Sequence, residues 1–443
     1  MQNIHCEYVG KCGGCSINAQ YQAQLESKKQ YILQLFDLGN VPLCVFGSKE
    51  IGYRTRAEFR IFRTDFHSTK HHTNSSHTNP YYINLSMMSA TNTTNKKAIK
   101  IPIKSCPILL PNINLALQNL ISAINTSAKS NKQDFDTLAH KLYAIEALGV
   151  LNPAFLDSAN YACDKLQKPL SVILTLIYHK KLEAQWEQAI TKLLNKIPQN
   201  IALIGRSKNQ KITLKTDFLL ESIALKNNQH YVFLRSEGKF SQPNAFINPL
   251  MISFVKEAIE LHKREDLLEM YCGEGNFCVS LAHKFRQVLA TEVVKSCIPA
   301  LQTNAKNNGI ANITALRLSG AETIEALSGK REFFRTRGVD LSDFRFSHIL
   351  IDPPRSGISG GKISWSEISE DKSTKNHNAK NALEMLEFIA KHRYIIYISC
   401  NPLSLKCDLE ILLKTHNITH FGLFDQFPHT NHIECVTLLE CKD

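Results

Sequence analysis

DLLEMYCGEGNF, at residues 266–277, has the pattern of a short apolar strand that ends in glycines and polar residues. The pattern recurs in VLATEV at 288–293, SHILIDPPRSG at 347–357 and YIIYISCNP at 394–402. Strands of this kind that alternate with helical stretches predict an α/β fold with a doubly wound, Rossmann-like parallel sheet. Ligands of such sheets bind beyond the carboxyl ends of the strands, so the residues that follow each strand are the candidate site.

The first strand is followed by a glycine-rich turn that suits a nucleoside. Gly273 and Gly275 let the backbone turn sharply and let a ligand approach closely. Glu292 ends the next strand about 20 residues later, where a carboxylate can accept the ribose hydroxyls. A surface carboxylate is the alternative. Because no GxGxxG motif is present, S-adenosylmethionine fits this turn better than NAD does.

The third strand ends in Asp352-Pro353-Pro354-Arg355. The two prolines fix two φ angles and hold their neighbours rigidly near the site. Methyltransferases that modify amino groups place an aromatic residue after Asp-Pro-Pro, where Arg355 stands in this chain. The sequence therefore argues against methylation of a nitrogen.

The fourth strand ends in Cys400, a candidate nucleophile, although a buried structural cysteine is the alternative interpretation. One reaction that needs such a nucleophile is methylation at carbon 5 of uracil. This carbon is a poor nucleophile, whereas addition of a thiolate to carbon 6 gives carbon 5 carbanion character. A general base must then remove the proton from carbon 5. Glu434, which opens the apolar strand CVTLL, is the best candidate by position, and an exposed strand-end glutamate is the alternative.

The amino-terminal half predicts a second, mixed α/β domain. IGYRTRAEFRIFR at 51–63 alternates cationic and apolar side chains, so a strand there would present Arg54, Arg56 and Arg60 on one face. Residues 64–99 are polar and lack a periodic apolar pattern, which predicts a mobile insertion. The expected domains are a cysteine-rich segment at 1–16, an α/β domain at 17–245 and the Rossmann-like domain at 246–443.

Composition sets the broad class. A chain of 443 residues with 43% apolar and 21% charged residues is globular and too long for one core. The formal charge of +12 suits a polyanionic partner, although a lineage with lysine-rich proteins is an alternative. The thirteen cysteines suggest reduced thiols. Without a leader pattern or a membrane-spanning apolar run, we expect a cytoplasmic protein with no membrane partner.

Seven motifs in order resemble the tRNA (uracil-5-)-methyltransferase family, over nearly the whole chain from about residue 17. They are YRTRAEFRIF at 53, YHKKL at 178, QPNAFIN at 242, YCGEGNF at 271, DPPRSG at 352, SCNP at 399 and FDQFPHTNHIE at 424. The resemblance implies that Cys400 is the nucleophile and Glu434 the proton acceptor. It also implies an S-adenosylmethionine site formed by Gln242, Tyr271, Asn276, Glu292 and Asp352.

The same resemblance implies an RNA partner. The usual substrate of the family is the T-loop uridine of tRNA, and sometimes the tRNA-like part of tmRNA. Arg54, Arg56, Arg60 and Tyr143 match positions in the RNA-recognition half, where stacking and phosphate contacts offset the cost of extruding a base. We expect a monomer that forms 5-methyluridine.

Cys6, Cys12, Cys15 and Cys106 resemble the four-thiolate [4Fe-4S] site of the related 23S ribosomal RNA uracil-5 methyltransferases. Four thiolates suit such a cluster or zinc, and unligated cysteines are the third interpretation. This motif leaves 23S ribosomal RNA as an alternative substrate. Against it, FDQFPHTNHIE is closer to the tRNA branch, and the chain lacks room for the extra amino-terminal barrel of many ribosomal enzymes.

Two further alternatives are less consistent with the residues. A catalytically idle RNA chaperone would have no use for Cys400, Glu434 and the cofactor residues together. Methylation of cytosine carbon 5 would want a second cysteine in the Asp-Pro-Pro loop, where Arg355 and Ser356 stand.

Overall fold

The computed structural model describes residues 6–65, 81–90, 98–154, 169–198, 200–226, 228–260, 264–360 and 376–442. The chain divides into two compact units. Unit 1 contains Met1–Gln20, Lys49–Glu221 and Arg235–Glu237, and unit 2 contains Tyr21–Ser48, Ser222–Leu234 and Gly238–Asp443.

Unit 1 is built on a seven-stranded sheet in the order β4-β3-β2-β5-β6-β7-β8. Its strands are mostly antiparallel, and β6 and β7 form a parallel pair. The strands are β2 (Arg56–Asp65), β3 (Tyr81–Met88), β4 (Lys100–Ile103), β5 (Leu142–Gly149), β6 (Val172–Tyr178), β7 (Ile201–Ser207) and β8 (Gln210–Leu214).

Three helices accompany this sheet: α2 (Pro111–Ser130), α3 (Lys132–Ala139) and α4 (Ala184–Leu194). They bury apolar residues such as Ile113, Phe135 and Trp186 in one core with alternate residues of β2 and β3. Burial of each such side chain contributes about 1.5–3 kcal/mol. A ribbon of β9 (Phe218–Ala224) and β10 (His230–Ser236) then carries the chain between the two units.

Unit 2 is built on an eight-stranded sheet in the order β1-β16-β17-β15-β14-β11-β12-β13. β17 is antiparallel to its neighbours β15 and β16, and the other pairs are parallel. The strands are β1 (Leu43–Phe46), β11 (Asp266–Met270), β12 (Gln287–Thr291), β13 (Ile313–Leu316), β14 (Phe346–Ile351), β15 (Tyr394–Ser399), β16 (His416–Phe424) and β17 (Glu434–Cys441).

Helices connect these strands. They are α1 (Tyr21–Leu35), α5 (Ile247–Ile259), α6 (Cys278–Leu281), α7 (Cys297–Asn307), α8 (Gly320–Leu327), α9 (Asn376–Ile389) and α10 (Pro402–Leu412), with three short 3-10 helices at 282–284, 334–336 and 341–343. Two clusters of buried apolar residues pack against the central strands, whose burial is complete in β11 and β15. Continuous burial explains the unbroken apolar runs of these strands.

The predicted doubly wound parallel sheet is confirmed. From β11 the chain proceeds outward through β12 and β13, and then returns to the other side of β11 with β14 and β15. The order of strands therefore reverses between β11 and β14, which is where a ligand crevice opens in such folds.

Two features differ from the sequence-based expectation. Tyr21–Ser48 was assigned to the first domain but lies in unit 2, because β1 pairs with β16 and Ile32 of α1 is buried in the second core. Within the expected insertion at 64–99, Tyr81–Met88 is an ordered strand that buries Ile83 and Leu85. Ile83-Asn84-Leu85 does alternate, but this short signal lies within a stretch rich in His, Asn, Ser and Thr, so it was not recognised as a strand. The remainder of that insertion, 66–80 and 91–97, lies outside the described residues.

No helix in the described part of the chain is both long and apolar enough to span a bilayer.

Candidate functional site at the sheet edge of unit 2

Five of the predicted residues lie at one edge of the unit 2 sheet. Four of them come directly after the carboxyl end of a parallel strand: Tyr271, Glu292, Asp352 and Cys400. Glu434 is the first residue of β17, and because β17 runs antiparallel, its beginning lies at this same edge. The topology alone thus gathers the predicted nucleophile, base and cofactor residues.

Cys400 and Glu434 face each other across neighbouring strands. The last pair of the β15–β17 register is Ser399 with Cys435, so Cys400, just after β15, and Glu434, the first residue of β17, come next beyond that pair. The charge of Glu434 acts on the Cys400 thiol, which shows that the two groups are close. Glu434 is 5% exposed, whereas Cys400 is partly accessible. The pair therefore combines a partly accessible thiol with a buried carboxyl group.

Burial and mutual repulsion dominate the electrostatics of this edge. Burial raises the pKa of Asp352 to about 7. Burial, and then the charge of Asp352, raise the pKa of Glu434 well above its ordinary value. Burial, followed by Glu434 and Asp352, raises the pKa of Cys400 to about 11, and nearby Arg355 opposes this rise. Burial and the neighbouring charges therefore oppose ionisation of all three groups at this edge.

The glycine-rich turn has the geometry expected of a nucleoside cradle. The Glu292 carboxylate accepts hydrogen bonds from the backbone N–H of Gly273, at 3.1 Å, and of Val294, at 2.8 Å. A Cβ at Gly273 would have open space around it, whereas one at Gly275 would lie 2.9 Å from Leu301 Cγ. Gly275 also has φ +87°, which favours glycine. Gly275 therefore permits the turn, and the lack of a side chain at Gly273 leaves open space next to the turn.

The two predicted amide ligands are held by partners from other segments. Gln242 Oε1 accepts a hydrogen bond from Gln426 Nε2 at 2.6 Å. Asn276 and Asn248 exchange side-chain hydrogen bonds at 2.8 and 3.0 Å. The motif QPNAFIN therefore supplies both an amide near the 424–434 loop and the partner of Asn276.

Asp408 is a site-supporting residue that sequence reasoning missed. This carboxylate, on α10, accepts the backbone N–H groups of Ile358 and Ser359, each at 2.9 Å. Asn401 Nδ2 also donates to the Arg355 carbonyl at 3.2 Å. These bonds join the loop after Asp352 to the helix after Cys400. Asp408 carries no motif signal, because its partners lie about fifty positions upstream.

Helix α1 supports the loop that leads to Glu434, which the sequence also did not reveal. Lys28 Nζ lies 2.6 Å from Asp425 Oδ1, and the two side chains are 5% and 0% exposed. Gln24 Oε1 accepts the backbone N–H of His429 at 2.8 Å, where His429 adopts φ +66°. The amino-terminal helix therefore fixes a strained turn five residues before Glu434.

The predicted RNA-contacting residues all lie in unit 1. β2 begins at Arg56 rather than at the predicted residue 51, and Arg54 forms an isolated bridge with Leu109. Arg60 lies 3.0 Å from Glu58 and 4.2 Å above the ring of Tyr143, which is 37% exposed. Arg60 and Tyr143 thus form a cation–π pair.

The four predicted metal-ligating thiols lie near one another in unit 1. Burial, and then the thiols Cys106, Cys12 and Cys6, raise the pKa of Cys15 to about 12. Burial is also the main cause that raises the pKa of Cys106 to about 11. Among the residues that the structure describes, no group of three or more His, Cys, Asp or Glu side chains is arranged to hold a metal ion.

Sequence comparisons show which family this chain resembles. The sequence profile described as tRNA (Uracil-5-)-methyltransferase matches residues 20–366 and 379–442. A tRNA/tmRNA (uracil-C(5))-methyltransferase of Helicobacter hepaticus is 36% identical, and the alignment covers 98% of each chain. The protein of the same name from Wolinella succinogenes is 33% identical, again over 98% of each chain.

A solved structure has the same fold. It is the Pyrococcus abyssi tRNA (uracil-54, C5)-methyltransferase, in complex with S-adenosyl-L-homocysteine. Its TM-score is 0.58, its sequence is 18% identical, and the match covers 95% of this chain and 84% of that one. At this identity, the likeness concerns the fold.

The buried ion pair of α1 gives a stability prediction. Lys28→Met should destabilise the protein by about 3–5 kcal/mol, because it leaves the Asp425 carboxylate buried without its counter-charge. Lys29→Met is the matched control, since Lys29 is 40% exposed and its pair with Glu26 is 3.6 Å long. Urea denaturation measures both. Lys28→Met with Asp425→Leu should recover most of the loss, and a Lys28→Met effect as small as that of Lys29→Met would contradict this account.

The raised pKa of Cys400 gives a reactivity prediction. Only the thiolate reacts with iodoacetamide, so below a pKa of about 11 the alkylation rate should rise about tenfold per pH unit. Mass spectrometry of the Cys400 peptide between pH 7 and 9.5 measures this rate, in a Cys441→Ser background that removes an exposed thiol. Arg355→Gln should slow the reaction at every pH. A rate whose rise per pH unit falls well below tenfold between pH 8.5 and 9.5 would show that the pKa is not raised, because an ordinary thiol with a pKa of about 8.5 is half ionised there.

Proposed function

The chain belongs to the tRNA (uracil-5-)-methyltransferase family, and on that premise we propose that it transfers a methyl group from S-adenosylmethionine to carbon 5 of a uridine in tRNA. The substrate position is the T-loop uridine, and the tRNA-like part of tmRNA is a second substrate. The observation that carries the proposal is the placement of Cys400 opposite Glu434, at the sheet edge that also presents Glu292 and Asp352.

The residues fit an adenosine-containing sulfonium cofactor. Glu292 is already oriented by two backbone N–H groups, and the space above Gly273 is open. Glu292 would hold the ribose, and Tyr271, Asn276, Asp352 and Gln242 would complete the site. When bound, S-adenosylmethionine supplies an electrophilic methyl group. The acidic edge suits its positive charge, which also opposes the repulsion that raises the pKa of Cys400.

Cys400 and Glu434 divide the chemistry between them. The Cys400 thiolate adds to carbon 6 of uracil, and the electron pair of the 5,6 double bond becomes available at carbon 5 for methylation. Glu434 then takes the proton from carbon 5, the double bond reforms, and the thiolate leaves carbon 6. A raised pKa suits this role of Glu434, because the ionised carboxylate is then a stronger base than an exposed glutamate.

Covalent trapping tests the function. The wild-type chain should form a denaturation-stable adduct with 5-fluorouracil-containing tRNA, and Cys400→Ala should form none. Glu434→Gln should lose about 10²–10⁴-fold in turnover, the usual effect of a general base. It should also accumulate a methylated adduct with ordinary tRNA, since the carbon 5 proton stays in place.

The controls separate chemistry from folding and from substrate choice. Both variants should retain binding of labelled S-adenosylmethionine, since neither is assigned to the cofactor site. Normal 5-methyluridine formation by Cys400→Ala would overturn the mechanism. Activity on a 23S ribosomal RNA fragment but none on a T-arm stem-loop would replace tRNA with ribosomal RNA as the substrate.

We further propose that Cys6, Cys12, Cys15 and Cys106 hold a structural [4Fe-4S] cluster. The support is the number and chemistry of the thiols and their mutual proximity, which adds to burial in raising the pKa of Cys15. Since the described thiols are not arranged as a ligand set, binding requires a local rearrangement that draws the sulfur atoms together. The methyl transfer involves no redox change, so the cluster serves the fold of this segment.

Anaerobic purification tests the cluster. The wild-type chain should contain iron and acid-labile sulfide and show sulfur-to-iron charge-transfer absorbance, because four thiolates complete its coordination. Cys15→Ser should lose all three signals, whereas Cys441→Ser, which alters an exposed cysteine outside the set, should keep them. Zinc without sulfide would convert the assignment to a zinc site, and a metal-free protein would refute it.

A further inference from the structure

Unit 1 contains a cleft of about 820 Å³ that the proposed chemistry does not use. It lies between the ends of β2 and β6, the start of β3, and α3. Its lining residues are Arg63, Tyr81, Lys132, Gln133, Asp136, Thr137, His140 and Lys180. A binding surface for an anion is the chemistry that this composition favours, since three fixed cations face one carboxylate.

The cations create a positive field inside the cleft. Burial, and then the charges of Lys180, Lys141 and Arg63, hold the pKa of His140 below its ordinary value. Asp136 acts in the opposite direction. Beyond the effect of burial, three cations and one carboxylate act on this imidazole, and a bound phosphate would neutralise the surplus positive charge.

The side chains of the cleft are held in place by neighbours. The Arg63 guanidinium lies 4.8 Å from the centre of the Tyr81 ring, and that ring packs 5.3 Å from Phe135. Lys180 Nζ donates to the Thr137 carbonyl at 2.7 Å. Fixed cations lose less conformational entropy on binding than free ones, which favours an anion site.

A second cleft extends this surface. It measures about 450 Å³ and is lined by Ile61, Phe62, Arg63, Lys100, Leu142 and Tyr143, so the two clefts share Arg63. The Tyr143 ring stacks 4.2 Å from His179 on one side of this second cleft. An isolated phosphate would occupy one cleft, whereas a run of phosphates would follow both.

We propose that Arg63, Lys100, Lys132 and Lys180 form a cationic track that binds the phosphodiester backbone of the RNA substrate. This proposal rests on the proposed function for the identity of the RNA. It adds a second contact region to Arg54, Arg56 and Arg60, because the track follows α3 and the far end of β2.

Salt-dependent RNA binding tests the track. Binding of a tRNA transcript, without cofactor, is measured for the full chain over a series of salt concentrations. Arg63→Gln and Lys180→Gln should each raise Kd about three- to fivefold at low salt, which is the range of an exposed ion pair. Each should also reduce the slope of log K against log salt by about 0.7–0.9. Lys208→Gln, an exposed lysine outside the clefts, is the matched control.

A further variant, Asp136→Asn, should change the affinity for RNA in the opposite direction. It removes the carboxylate from the cleft, so it should tighten RNA binding, an outcome that mere damage to the fold would not produce. Turnover at saturating RNA should stay unchanged in the Lys208→Gln control. The track is overturned if Arg63→Gln and Lys180→Gln leave the slope unchanged, or if Lys208→Gln reduces it equally.

The two proposals fail in different ways. If the wild-type chain forms 5-methyluridine while the variants bind RNA with the wild-type slope, the track is wrong and the proposed function stands. If the slope falls as expected but the wild-type chain forms no 5-methyluridine, the track is an RNA-binding surface of a chain with another activity.

Discussion

The antiparallel pairing of β15 with β17 is the constraint on which the site in unit 2 depends. In a purely parallel sheet, a strand beginning and a strand end lie at opposite edges. β17 is reversed, so its first residue, Glu434, lies beside Cys400, which follows the last residue of β15. Continuous pairing from Tyr394 to Ser399 fixes this register, and a slip of one residue would turn Glu434 to the other face of the sheet.

This placement costs electrostatic free energy, and the surrounding contacts supply the rigidity to sustain it. The carboxyl groups of Asp352 and Glu434 and the thiol of Cys400 are largely shielded from solvent at this edge. Ionisation of one of them therefore makes ionisation of the next less favourable. Asp408 fixes the loop after Asp352 through two backbone N–H groups, and Lys28 fixes Asp425. These contacts lie outside the three ionisable groups, yet they hold those groups in an arrangement in which the ionisation of one opposes that of the next.

Much of unit 2 could be predicted from the sequence because its signals are local. An apolar run followed by glycine, Asp-Pro-Pro or Cys-Asn-Pro marks a strand end, and the parallel topology brings those ends together. The partners of the site could not be predicted in this way. Lys28 and Asp425 are 397 residues apart, and neither has a pattern that distinguishes it from a surface charge. β3 was missed because its alternation comprises only two apolar residues, Ile83 and Leu85, and the surrounding sequence is polar on both sides.

The separation between α1 and the loop it supports has a consequence for biosynthesis. β1 pairs with β16, and Lys28 contacts Asp425, so the second core needs segments from both extremes of the chain. During translation, Tyr21–Ser48 is made long before its partners β16 and Asp425. All strands of the unit 1 sheet are made in between. Contacts of such high sequence separation form late and slowly. The nascent chain therefore completes this edge of unit 2 only after the final strand leaves the ribosome, and until then the side of α1 that is buried in the folded protein, with Tyr21, Gln24, Lys28 and Ile32, stays in solvent.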